Sequence, residues 1–160
     1  MKTKIITRAG ITAALYTVVT LCFAPFAYGP LQIRPAEALT VLPMFFAESP
    51  YALFIGCMLA NILSSYGILD VVFGSLITLV AGILTRVVAK KIDNPFLALI
   101  FPVVLNAVGL PIIFLLTGAT EGYIALCLPI LLTQSIFIYG LGIPLYYAIK
   151  KLQKKVDFLK

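Results

Sequence analysis

Six apolar runs take up almost the whole chain: residues 5–28, 36–47, 51–65, 71–88, 95–117 and 123–149. A run of about 20 apolar residues is long enough to cross the hydrocarbon core of a bilayer as a helix. Little is left over for a soluble domain, so no motor, nucleotide-binding or catalytic domain is expected within these residues. Composition agrees. The chain is 62% hydrophobic and 11% charged, where a soluble domain is about half apolar and a quarter charged. The expected fold is an all-α integral membrane protein: one domain over residues 1–160, a compact six-transmembrane-helix bundle in the plasma membrane.

Charge fixes a sidedness. Lys2, Lys4 and Arg8 precede the first run, Arg86, Lys90 and Lys91 follow the fourth, and Lys150, Lys151, Lys154, Lys155 and Lys160 follow the sixth. An even number of spans puts all three clusters on one side, and the positive-inside rule makes that side cytoplasmic. Both termini are therefore expected inside. The first run has the charge pattern of a signal peptide, but its length and the spans behind it predict retention. The net charge of +6 is assigned to topology and anionic lipid heads, not to nucleic acid.

Glu37, Glu48, Asp70, Asp93 and Glu121 all stand at or near the start of a run. An acid there offsets the positive end of the helix dipole. Ser49-Pro50 and Asn94-Pro95 read as an N-cap followed by proline at the first helical position. For Glu48 and Asp93 capping suffices. Glu37, Asp70 and Glu121 are also expected to converge on one outer rim.

The second and third runs are short, and Pro43 interrupts the second. Twelve to fifteen residues at about 1.5 Å each do not cover a hydrocarbon core of about 30 Å. Short, proline-broken segments point to a substrate site in transporters; the alternative is a tilted, ligand-free helical hairpin. Polar side chains inside the spans are Asn61, Ser64, Ser65, Asn106, Gln134 and Tyr139. Such groups are costly in a membrane and face the bundle interior. Amides offer paired donors and acceptors, which suit a planar heterocycle, although hydrogen bonds between helices also use them. Together with Gln32, Arg34, Glu37 and Asp70 they favour a ligand cavity open to the outside.

Small residues form rows: Ala9 and Ala13 beside Gly10 and Ala14; Ala52, Gly56 and Ala60; Gly74, Thr78 and Gly82. Such rows let helix backbones approach closely. The first, beside the cytoplasmic rim, is a candidate docking surface for a partner. No enzyme is expected. Histidine is absent, the cysteines Cys22, Cys57 and Cys127 read as small buried hydrophobes without metal-ligand spacing, and no nucleophile or phosphate-loop motif occurs.

"GPLQIRPAEALTVLP" (residues 29–43), "ANILSSYGILDVVFGSLITLVAG" (residues 60–82) and "YGLGIPLYYAI" (residues 139–149) resemble the QueT family, substrate-binding S-components of energy-coupling factor transporters. The likeness runs through nearly the whole chain. It implies a six-helix bundle with both ends inside and uptake of a queuosine precursor, 7-aminomethyl-7-deazaguanine or a queuine-like base. It also implies two kinds of partner, a transmembrane coupling protein and a pair of cytosolic ATPases, with no cofactor on this chain. The superfamily's alanine row in the first helix, which meets the coupling protein, matches Ala9 and Ala13 with their neighbour Gly10.

The implied ligand has a guanine-like edge, which suits a carboxylate or amides, and a cationic aminomethyl group, which suits an acid. Glu37 and Asp70 are the expected acids, Glu121 the third. Asn61, Asn106 and Gln134 are expected to read the heterocycle, with Gln32 and Tyr139 completing the candidate set. Arg34 is expected to orient Glu37, three positions on, or to meet a carbonyl of the base. Other readings are an S-component for another vitamin or nucleobase-like compound, a small channel or carrier working alone, and a membrane scaffold without ligand. A lone channel needs a polar path to the cytoplasm, and the inner halves of the spans carry few such residues.

Overall fold

The computed structural model describes residues 2–92 and 94–154, and every regular element in them is helical. Helix α1 is Lys2–Cys22, followed by the single turn α2, Ala24–Ala27, and a 3-10 helix at Pro35–Met44. Helix α3 is Ser49–Asn61; α4, Gly67–Leu69, runs through a π turn at Asp70–Gly74 into α5, Ser75–Ala89. The turn α6 is Pro95–Ala98, α7 is Ile100–Leu116, α8 is Tyr123–Gly140 and α9 is Gly142–Leu152. Four stretches are long and apolar enough to cross a membrane: Lys2–Cys22, Gly67–Ala89, Pro95–Leu116 and Tyr123–Leu152. The expected second and third spans are the 3-10 helix and the 13-residue α3.

In α1 the buried residues are Thr12, Tyr16 and Thr20, one turn apart. The polar-bearing stripe thus faces the bundle, while Ile6, Leu15 and Val18 are exposed. A helix in lipid has this inside-out pattern because polar side chains cost less against protein than against hydrocarbon. The small-residue rows pack helix against helix. A Cβ on Gly56 would lie 2.7 Å from the Ala13 carbonyl oxygen, and one on Gly82 would lie 3.2 Å from Pro50. The Ala13 backbone therefore lies against α3. On Gly10, by contrast, a Cβ would meet nothing within 4 Å.

The expected caps resolve differently. Asn94 caps α6, its side-chain oxygen accepting from Phe96 N at 3.0 Å and Leu97 N at 3.4 Å. Ser49 is not a cap: it lies inside α3, and Glu48 holds the N-cap position without a capping hydrogen bond. Glu48 is engaged elsewhere, accepting from Arg8 Nε at 2.8 Å. Asp93 lies outside the described residues. Of the cysteines, only Cys57 is buried; Cys22 is exposed and Cys127 half-buried, since the apolar faces of α1 and α8 need not turn inward.

The central element is the 3-10 helix, which packs against α1, α3, α5, α6, α8 and α9. Seven of its ten residues are buried: Ala36, Glu37, Ala38, Thr40, Val41, Leu42 and Pro43. Runs of 3-10 helix beyond three or four residues are uncommon, and each residue rises about 2.0 Å instead of 1.5 Å. Ten residues therefore reach about 20 Å, and residues three apart stack on one row. Within the helix one such row is Glu37, Thr40 and Pro43. Pro43 lacks the N–H that an α-helix would use, and its carbonyl accepts from Arg86 Nη1 at 3.1 Å.

Candidate functional site

A buried polar network is built around the first turn of the 3-10 helix. Pro35 opens that helix and Arg34 stands at its N-cap with an extended backbone. Glu37, in the first turn, directs its side chain toward α1 and α7. Glu37 accepts from the Tyr16 hydroxyl of α1 at 2.6 Å through Oε1, and from Asn106 Nδ2 of α7 at 3.2 Å through Oε2. Asn106 Nδ2 also donates to Gln134 Oε1 of α8 at 3.0 Å. One carboxylate thus ties three helices together.

Arg34 faces the other way. Its Nε donates to the Ala27 carbonyl at 2.9 Å, its Nη2 lies 3.6 Å from Asp70 Oδ2, and its guanidinium carbon is 5.3 Å from the Tyr28 ring centroid. Asp70 Oδ2 also accepts from Ser64 Oγ at 2.6 Å, while Asn61 Nδ2 donates to the Asp70 backbone carbonyl at 3.1 Å. The Tyr28 hydroxyl donates to the Ala60 carbonyl. The π turn has its use here. A Cβ on Gly74 would strike the Asp70 carboxylate and lie 3.1 Å from Asn61 Nδ2, so glycine at 74 gives the carboxylate its place.

Five polar atoms of this network are buried with no hydrogen-bond partner: Gln32 Nε2 and Oε1, Arg34 Nη2, Asn61 Oδ1 and Asp70 Oδ1. Gln32 is fully buried and holds φ at 48°, in the left-handed region that a non-glycine residue rarely adopts. Strain and unmet hydrogen-bonding capacity each cost free energy, of the order of 1–3 kcal/mol per group. Where both gather they mark function more often than error of design.

Of the residues singled out in the sequence, Arg34, Glu37, Asn61, Asp70, Asn106 and Gln134 come together, with Gln32 buried two residues before Arg34. Three readings change. Arg34 pairs with Asp70, not Glu37, because Glu37 is already held by Tyr16 and Asn106. The three acids do not share a rim: Glu37 and Asp70 are interior, and Glu121 is exposed just before α8. Tyr139 stands apart, its hydroxyl donating to the Phe96 carbonyl at 3.2 Å and its ring stacked on Phe96. Ser64 joins the network, whereas Ser65 is exposed.

Sequence reasoning missed Tyr16 and Tyr28. The available signal for Tyr16 was the spacing of Thr12, Tyr16 and Thr20, a polar stripe at every fourth residue of an apolar helix.

Open volume lies elsewhere. A groove of about 420 Å³ between α5 and α7 is lined only by apolar residues, among them Leu69, Phe73, Leu76, Ile77, Gly109 and Ile112. It carries no group that could orient a polar ligand. The network, in contrast, is closed, its residues no more than 9% exposed.

Helices of membrane-crossing length around a buried, partly unpartnered polar site define a multi-pass membrane protein. Residues 6–151 match the QueT transporter family. The chain belongs to that family. It is also similar to the queuosine precursor transporter QueT of Lactococcus lactis subsp. cremoris (strain MG1363), with 40% identity over 81 residues. That match covers 49% of this chain and 47% of the relative, so it spans about half the length of the curated protein. No solved structure matches the chain.

Proposed function

We propose that this chain is the substrate-binding component of an energy-coupling factor importer, taking a queuosine precursor of the 7-aminomethyl-7-deazaguanine type from outside. The observation that carries the reading is the gathering of buried polar atoms without a hydrogen bond at Gln32, Asn61 and Asp70, beside an Arg34 Nη2 held only by its ion pair to Asp70. Polar groups held in this way are costly in a membrane unless a ligand uses them. Gln32, Arg34, Glu37, Asn61, Asp70, Asn106 and Gln134 form the site; Tyr139, whose hydroxyl is spent on Phe96, has no part in it. The relative's printed name supports the substrate class.

The working topology is six membrane segments, with both termini and residues 86–94 cytoplasmic. Counting only the four long helices gives the same sidedness, because the two short segments leave and re-enter from one face. Hydrolysis of ATP falls to separate subunits, reached through a transmembrane coupling protein that meets Ala9, Gly10 and Ala13. Gly10 is the open member of that row, so Gly10→Leu is expected to stop transport and leave ligand binding by the isolated protein intact.

Calorimetry on the purified protein tests the site. Saturable binding of 7-aminomethyl-7-deazaguanine is expected, with affinity falling by roughly 2–5 kcal/mol in Glu37→Gln or Asp70→Asn. Dissociation constants within about threefold of wild type for both variants, a difference below ~1 kcal/mol, would remove these residues from the site.

A further inference from the structure

The buried network has two compartments that differ in how completely they are satisfied. Tyr16, Glu37, Asn106 and Gln134 contribute no buried side-chain atom without a hydrogen-bond partner. The second compartment has more left over: Asp70 Oδ1 and Asn61 Oδ1 are buried without a hydrogen bond, Arg34 Nη2 has only its 3.6 Å ion pair with Asp70, and both side-chain polar atoms of Gln32, two residues before Arg34, are buried without a hydrogen bond. The charges differ as well. Asp70 has Arg34 beside it, whereas the hydrogen bonds to Glu37 come from a neutral hydroxyl and a neutral amide.

We propose that the two compartments divide the recognition of a single ligand, resting on the binding role above. The Gln32, Arg34, Asn61 and Asp70 compartment takes the lactam–amidine edge of a planar base, and Glu37 takes a cationic arm. Such an edge presents one carbonyl acceptor beside a ring N–H and an exocyclic amine. Arg34 Nη2 and Gln32 Nε2 match the carbonyl; Asp70 Oδ1 and Asn61 Oδ1 match the two donors. The missing Cβ at Gly74 leaves Asp70 Oδ1 room. The Glu37 amide donates to the Arg34 carbonyl at 3.0 Å, so the two residues stand one turn apart at the start of the 3-10 helix, each side chain directed to its own compartment. Gln32 precedes both Arg34 and Glu37 in the chain. Its neighbour Leu31 accepts from Thr133 Oγ1 at 2.6 Å, next to Gln134, and Arg34 is two residues on.

The test uses three probes with the purified full chain: 7-aminomethyl-7-deazaguanine, the 7-cyano analogue with its neutral arm, and the aminomethyl compound lacking the exocyclic 2-amino group. Wild type is expected to prefer the first over each of the others by at least about tenfold, as a site built to pair polar groups rejects a ligand that lacks one. Glu37→Gln should lose the preference over the cyano compound and keep the preference for the 2-amino group. Asp70→Asn should do the reverse. Asn106→Ala and Gln32→Ala, one from each compartment, are the second pair should the first fold poorly, and the same opposite losses are expected of them. A swapped pattern, parallel loss of both preferences in each variant, or a wild type without either preference would overturn the division while leaving the binding role standing. Failure of wild type to bind any of the three compounds would overturn both.

Discussion

The polar network and the α5–α7 groove use opposite faces of one helical stretch, residues 67–89. Asp70, Gly74 and Thr78 are turned inward, while Phe73 and Leu76 are exposed. The groove is open, roomy and purely apolar; the network is closed, crowded and polar. In a water-soluble protein the larger opening would be the first place to look for a ligand. In a membrane that reasoning inverts. An apolar groove facing hydrocarbon costs nothing to keep, whereas buried amides, carboxylates and a guanidinium persist only against a penalty. Chemistry marks the site here, and volume does not.

This contrast is open to direct attack by substitution, with thermal or denaturant unfolding in detergent as the readout. The largest effect is expected for Asp70→Ala, which leaves the Arg34 guanidinium buried without its counter-charge. Removing one member of a buried pair costs about 3–5 kcal/mol. An unchanged unfolding midpoint would show that Arg34 does not depend on Asp70. Next comes Tyr16→Phe, which keeps the ring packed and deletes only the 2.6 Å hydrogen bond to Glu37. A loss of about 1.5–3 kcal/mol is expected, the range for a hydrogen bond to a charged group. Equal stability of the two proteins would detach α1 from the network.

Gly74→Ala puts a methyl group onto the Asp70 carboxylate. Overpacking of this kind costs about 1–3 kcal/mol, and ligand affinity should fall with stability because the carboxylate must move. Full stability together with full affinity would mean that Asp70 is free to shift. The smallest effect is expected on the groove side. Leu76, 40% exposed, should tolerate alanine within about 0.5 kcal/mol and with ligand binding unaltered. A binding defect in Leu76→Ala would turn the comparison around and make the groove part of the site.

Much of this protein is local and therefore legible in the chain. The apolar runs mark where helices form, and every one of the six has a helical counterpart. Asn94 followed by proline is a cap because its side chain reaches two amides in its own first turn. The polar residues within apolar runs were worth naming because a membrane interior penalises them wherever they fall, and Glu37, Asn61, Asp70, Asn106 and Gln134 do turn inward. Tyr16 escaped notice because a lone tyrosine in an apolar helix is more often an interfacial anchor than a hydrogen-bond donor to a core carboxylate.

Partner choice was another matter, since it depends on residues far apart in the chain. Arg34 and Glu37 are three positions apart, and local spacing favours pairing them. Packing instead presents Arg34 to Asp70 from the π turn and Glu37 to Asn106, 69 residues away. The 3-10 form of residues 35–44 is likewise a tertiary outcome, a stretched core helix held by its neighbours against the usual preference for short runs. The sequence determined that this chain lives in a membrane, where its helices lie and which polar groups must be hidden, because those follow from transfer free energies of single side chains. Only the tertiary structure decided which hidden groups satisfy each other and which are left over, because that depends on distances between helices that no local pattern encodes.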